Sequence, residues 1–242
     1  LLPAARNFPA ETLFRRFAGA AACIGGGVTE APETIVDDVR ASRAMGYVLL
    51  ATLLARAPSR DILEGVAGLK GDLTAFGESV AAVGKAAALT TPPDAEREFN
   101  RLFIGVERGE LVPYASYYRS GFLQDRALLQ VRAAMTRLGI ERAPEVTEPE
   151  DHVAALLEIM GGLIDGSLIG PVPEQDQKNF FDEHLAPWTP RFFDDLRDAA
   201  SSRLYHPVGI LGRQFMEIES IAFAIGETEF TQAGRAHRRN GS

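Results

Sequence analysis

Four side chains able to hold a charge or move a proton crowd one proline in the stretch Glu148-Pro149-Glu150-Asp151-His152. Carboxylates beside an imidazole are the ingredients of general acid–base chemistry. They are equally the receptors a guanidinium prefers, because its fork meets a carboxylate with two hydrogen bonds. The same residues also have a plainer use. Thr147 and Glu150 have the spacing of a capping box, with Pro149 in the first turn. Glu148, Glu150 and Asp151 then stand where a helix dipole favours negative charge, each by ~0.3–1 kcal/mol. Val153, Leu156, Leu157, Met160, Leu163 and Ile164 continue as one apolar stripe. A helix start thus explains most of the cluster but not Asp151-His152. His152, one turn before Leu156, is expected at the edge of the core, where the dipole opposes its cationic form and the neighbouring acids favour it.

Other catalytic arrangements find no support. His152, His184, His206 and His237 lie on separate segments without H-E-x-x-H spacing, so no metal site is expected. The single cysteine, Cys23, sits in an apolar, glycine-rich stretch with no base to activate it. A lone cysteine also excludes an internal disulfide or a cysteine-based metal cluster, and it points to a reducing compartment. There is no G-x-S-x-G elbow, and Gly25–Gly27 lacks the Lys-Ser/Thr ending of a phosphate loop. A second constellation is aromatic: Tyr114, Tyr117 and Tyr118 are three of the five tyrosines. Rings with polar tips suit a peptide groove. Tyr114 and Tyr118, one helical turn apart, would serve a core equally well.

The elements that position these groups are helices. Apolar residues recur with a 3.6-residue period and almost nowhere alternate, so the fold class is all-α, a single bundle of about ten helices. Val36, Val39, Met45, Val48, Leu49, Leu53 and Leu54 mark a long helix ending before Pro58. Ser59 caps a short one through Leu69, and Asp72 is expected to cap another that carries Leu73, Phe76, Val80 and Val83. Pro92-Pro93-Asp94 opens the next. Leu123–Leu138 is a helix stopped by Gly139. Further helices run over Glu174–Leu185, Pro190–Ala200 and Leu204–Ile225. Gly166–Pro173 is the most linker-like segment, a candidate hinge that permits helix exchange between chains.

At 242 residues with 46% hydrophobic content, a sizeable core can be buried. The net charge of −8 excludes a general nucleic-acid binder and favours a basic partner. No apolar run approaches the length of a membrane span. Arg15-Arg16, followed by an apolar run, has the outline of a twin-arginine export signal. It lacks the Ser/Thr before the pair and the Phe-Leu after it. Glu11, Leu13, Phe14 and Phe17 suit an amphipathic first helix instead.

The order of motifs carries more than any one of them. "EFNRLFIG" (Glu98–Gly105), "VPYASYY" (Val112–Tyr118), a helix ending in Leu138-Gly139-Ile140, "EPEDH" (Glu148–His152), "HLAPW" (His184–Trp188) and "LYHPVGILGRQFMEIE" (Leu204–Glu219) follow one another. Together they resemble the TorD/DmsD-type chaperone family, over about Asp37 to Phe230. The resemblance implies a cytoplasmic, non-enzymatic all-α protein. Its partner is the apo-form catalytic subunit of a molybdenum enzyme of the dimethyl-sulfoxide-reductase class, formate dehydrogenase being one such client. The chaperone binds the client's twin-arginine signal peptide and delays export until molybdopterin is inserted. Asp151 and His152 match the family's Asp-His pair, and Pro113, Tyr114 and Ser116 match its loop motif. Glu150 and Tyr117 beside them complete the candidate signal-peptide site. Many members carry Trp near the loop motif, where this chain has Tyr114. No cofactor of the protein's own is expected; the charge argues against nucleic acid, the short apolar runs argue against membrane insertion, and the Gly166–Pro173 hinge allows a helix-exchanged dimer besides the monomer. The resemblance divides the chain into an extension (1–36), a chaperone domain (37–230) and a polar tail (231–242). Two other readings stay open: a protein that handles cofactor, binding GTP or molybdopterin in the same cleft, and a helical adaptor for folded partners.

Overall fold

The computed structural model describes residues 32–239 apart from Glu107, Pro144 and Glu145, and side chains within residues 37–225. Cys23, the Arg15-Arg16 pair and the expected first helix lie outside the described residues, as does the side chain of His237.

Ten α-helices follow one another, with no strand among the described residues. They are α1 (Pro32–Ala55), α2 (Arg60–Ala67), α3 (Ala75–Ala88), α4 (Pro92–Phe99), α5 (Ala115–Ser120), α6 (Arg126–Leu138), α7 (Val153–Asp165), α8 (Glu174–His184), α9 (Thr189–Asp198) and α10 (Tyr205–Arg239). The all-α expectation is therefore met. A π-helical turn, Asn100–Ile104, continues α4.

Local signals account for several boundaries. Ser59 accepts a hydrogen bond from the Ile62 amide at the start of α2. Gly139 closes α6 in the left-handed region, at φ 73°, where a side chain would be strained. The start of α3 differs from expectation. Thr74 is the cap, accepting from the Gly77 amide, while Asp72 accepts from the amide and hydroxyl of Thr74. Asp72 thus builds the turn that presents the cap, and Leu73 is left fully exposed. The last helix runs on past Ile225 to Arg239.

Two long packings organise the bundle, α1 against α7 and α9 against α10, while α3 packs on both α2 and α10. Their shared core holds Tyr47, Leu50, Leu53, Leu156, Leu157, Phe180, Phe181, Phe192, Phe193 and Tyr205, all essentially inaccessible. α9 and α10 approach at glycine. A Cβ on Gly212 would stand 2.2 Å from Phe193 Cε1, and one on Gly209 would stand 2.6 Å from the Arg197 nitrogen. α1 is tied to α10 by a fully buried carboxylate. Glu219 accepts two bonds from Arg43, both 2.8 Å, and a third of 3.0 Å from the Tyr47 hydroxyl. Burial and that carboxylate push the Tyr47 phenol well above its usual range.

Candidate functional site

The capping box expected at Thr147–Glu150 does not form, because α7 begins at Val153, five residues beyond the start a Thr147 cap would set. Glu148–Asp151 instead make a turn in which the His152 amide donates to the Pro149 carbonyl at 3.1 Å. His152 is the N-cap. Its ring Nδ1 accepts from the Ala154 amide at 3.2 Å, a role usually given to Ser, Thr or Asp. A ring nitrogen that accepts is unprotonated, so the neutral imidazole carries its proton on Nε2. Burial pushes the imidazole pKa down, against the pull of Glu148 and Asp151.

The other side of the site is the loop before α5. Tyr114 and His152 face each other as an isolated antiparallel bridge, flanked by two backbone bonds. The Ala115 amide donates to the Asp151 carbonyl at 2.9 Å, and the Val153 amide donates to the Pro113 carbonyl at 2.8 Å. The Asp151 carboxylate, with no exposed surface, turns the same way, its Oδ2 accepting from the Ser116 amide at 2.9 Å. Each helix start thus draws a cap from the residues preceding the other, and α7 draws a second from its own His152. Asp151 serves α5, while Pro113 and His152 serve α7. This answers the orphan amides that any helix start leaves. Two buried atoms beside this bridge find no hydrogen-bond partner among the described residues, Asp151 Oδ1 and Ser116 Oγ.

Above the bridge the chemistry reaches solvent. The Tyr114 ring stands edge-on to His152, centroids 5.1 Å apart, and its hydroxyl donates to the exposed Glu148 carboxylate. Burial, reinforced by that carboxylate, raises the phenol's pKa, so the hydroxyl remains a donor. Tyr117, part-exposed, lies under the Arg108 guanidinium at 4.8 Å and accepts a hydrogen bond from it.

All seven predicted site residues belong to this neighbourhood, but in different roles. Asp151, Ser116 and Pro113 are buried and hold the bridge together. Glu150 is also buried, and two arginines engage it: Arg132 at 2.9 Å and Arg142 at 3.6 Å. Tyr114 and Tyr117 are part-exposed, while His152 is buried. Tyr118 goes the other way, packing on Trp188 and Phe192, with its hydroxyl donating to Asp195 at 2.9 Å. The sequence reading missed three participants: Arg132, Arg142, and Glu148 as the exposed acceptor. Glu148 was signalled only by standing first in its acidic run. No three potential metal ligands gather among the described residues, and no described helix is long and apolar enough to cross a membrane.

The fold and this site define an all-helical protein whose principal polar cluster is spent on joining two helix starts and displaying a tyrosine–carboxylate couple. The model of the nitrate reductase delta subunit family matches residues 69–194. Among curated proteins, the chain is 30% identical to the chaperone protein TorD of Aliivibrio salmonicida over 60% of this chain and 73% of that one. It is 31% identical to TorD of Photobacterium profundum, over 57% and 69%. With TorD of Aliivibrio fischeri the identity is 29%, over 54% of this chain and 64% of that one, just under two thirds of that relative's length. A solved structure of a candidate redox enzyme maturation protein from Archaeoglobus fulgidus is a distant likeness. Its identity is 19%, with coverage of 71% and 93% and a TM-score of 0.47. The chain belongs to the nitrate reductase delta subunit family, that of the TorD chaperones.

Proposed function

We propose that the protein is a maturation chaperone that binds the twin-arginine signal peptide of a molybdenum oxidoreductase, before that enzyme is exported. The carrying observation is the Tyr114–Glu148 couple, a half-buried tyrosine bonded to an exposed carboxylate, mounted on a bridge whose Ser116, Asp151 and His152 are buried. Glu148 offers a guanidinium the bidentate acceptor it prefers. The peptide's apolar stretch has the faces of Tyr114 and Tyr117 to pack on. Exposed apolar residues also adjoin in the chain: Val146 two residues before Glu148, and Phe122 and Leu123 directly after α5. Asp151 acts behind this surface. It fixes the start of α5, and through it Tyr114, and touches no peptide itself. The net charge of −8 favours a basic ligand over longer range.

Calorimetric titration with a synthetic twin-arginine signal peptide tests this reading. The full chain binds, changing the Arg pair to Gln weakens binding severely, and changing it to Lys weakens it modestly. Equal affinity for the Arg and Gln peptides would remove Glu148 from recognition. The same titrations with GTP and with molybdopterin decide against a role in handling cofactor, unless one of them binds where the peptide does not.

A further inference from the structure

Glu150 holds two guanidinium groups of its own chain, and it holds them unequally. Arg132, from α6, donates from Nε to Glu150 Oε2 at 2.9 Å. Arg142 stands by the other oxygen, its Nε 3.6 Å from Oε1, beyond hydrogen-bond length. Oε1 accepts no hydrogen bond among the described residues. The Glu150 side chain is 11% exposed and that of Arg142 41%. A nearly buried carboxylate thus has one oxygen firmly bonded and the other merely accompanied by a half-exposed cation. An exposed ion pair of this kind adds little to stability. It does answer one need, since a buried carboxylate with too few partners is costly.

We propose that Glu150 Oε1 is the receptor for the second arginine of the signal peptide, and that Arg142 keeps its place until the peptide displaces it. The proposal rests on the reading of Glu148 as receptor for the first. Of the three acids in the run, Asp151 is spent on the start of α5, while Glu148 is exposed and Glu150 keeps an unbonded oxygen. Residues 148 and 150 are at most ~7 Å apart along the backbone, and adjacent arginines ~3.8 Å, a difference that two long side chains absorb. One guanidinium enters as another leaves, so Glu150 is paired with and without peptide. The incoming group can make the direct bond that Arg142 does not. A ligand with one arginine fills Glu148 alone and gains nothing from the exchange, which makes the pair itself the recognised feature. Arg142 meanwhile lowers the apparent affinity, because the subsite is open for only part of the time.

Calorimetric titration of the full chain with the synthetic signal peptide separates this exchange from a structural ion pair. Arg142→Gln should tighten binding about fivefold, because the subsite no longer has to be vacated. Arg56→Gln, at an exposed position between α1 and α2, removes the same charge and measures its long-range share. Arg142→Lys keeps the charge and should restore most of the wild-type affinity. When either arginine of the peptide is changed to Gln, the gain from Arg142→Gln should shrink to that of Arg56→Gln for at least one of the two positions. Arg132→Gln should lower the melting temperature, whereas Arg142→Gln should leave it nearly unchanged. Binding that Arg142→Gln leaves unchanged or weakens would overturn the proposal. So would a gain no larger than that of Arg56→Gln, or one equal for the paired and both single-arginine peptides. Glu148→Gln tells the two readings apart. No effect of Glu148→Gln beside a tightening by Arg142→Gln would remove Glu148 and keep Glu150 as a receptor. A loss with Glu148→Gln and no tightening by Arg142→Gln would keep Glu148 and remove Glu150.

Discussion

Two buried carboxylates do the same job in different ways. Glu98 caps the start of α10 from another helix. Its Oε1 accepts from the Arg203 and Tyr205 amides at 2.7 and 2.9 Å, and its Oε2 accepts from the Leu204 amide at 3.1 Å. Asp151 caps α5 with Oδ2 alone, while Oδ1 and the neighbouring Ser116 Oγ find no partner. A cap whose oxygens are both engaged can only hold the fold. One with an idle oxygen, beside a half-buried tyrosine and an exposed carboxylate, is incompletely committed to it. The difference separates a carboxylate wholly spent on its cap from one with an oxygen to spare, although both lie in motifs of similar prominence.

Amide isosteres break or sharpen this contrast. Glu98→Gln must turn an NH2 group toward a backbone amide, losing a charge-assisted bond and stranding a buried donor. It should cost about 4 kcal/mol of stability in urea unfolding. A cost no larger than that of Asp151→Asn would break the comparison.

His184 is the limiting case, a buried imidazole with neither nitrogen hydrogen-bonded and Glu183 Oε2 3.6 Å away. Burial, then Arg119 and Arg137, push its pKa down to about 4. The unfolded chain, with an ordinary value near 6.5, therefore binds more protons between these two limits. Stability falls as pH drops through that window, by about 3 kcal/mol at its acid end. His152 shifts in the same direction. His184→Phe should remove the His184 share of the loss, visible as a shallower fall of melting temperature between pH 6.5 and 4. An unchanged profile would show that His184 is not what titrates.

Asp151→Asn should cost only about 1 kcal/mol, since its oxygen still accepts from Ser116 and its amide can turn to the idle side. Smallest of all, Glu148→Gln should leave stability within ~0.5 kcal/mol, as surface changes do. Its mark should be a several-fold loss of signal-peptide affinity. A stability loss matching that of Asp151→Asn would make Glu148 part of the frame.

The sequence disclosed what is decided locally. Ser59 and Gly139 announce helix ends through their own chemistry, and the apolar period shows where α1, α7 and α10 bury a face. Glu98 and Asp151 were quoted within motifs, but their work was invisible. The amides they cap lie 105 or more and 35 residues away, and no spacing rule links a side chain to a helix start at such range. The same blindness misplaced the cap of α7. Thr147 and Glu150 fit a local pattern, yet two arginines claim Glu150, and the ring of His152 does the capping. The π-turn at Asn100–Ile104 left no recognisable signal either.

The distance spanned by Glu98 also has a bearing on the order of assembly. Closing its loop costs about 1 kcal/mol more chain entropy than closing the one at Asp151, which is a third as long. The Tyr114–His152 bridge can therefore form among neighbours early, whereas the start of α10 is fastened once most of the chain has collapsed. A contact made that late weighs on the rate of escape from the native state more than on the rate of reaching it. Glu98 is then a latch on unfolding, and loosening it shortens the protein's lifetime while leaving its folding time nearly unchanged.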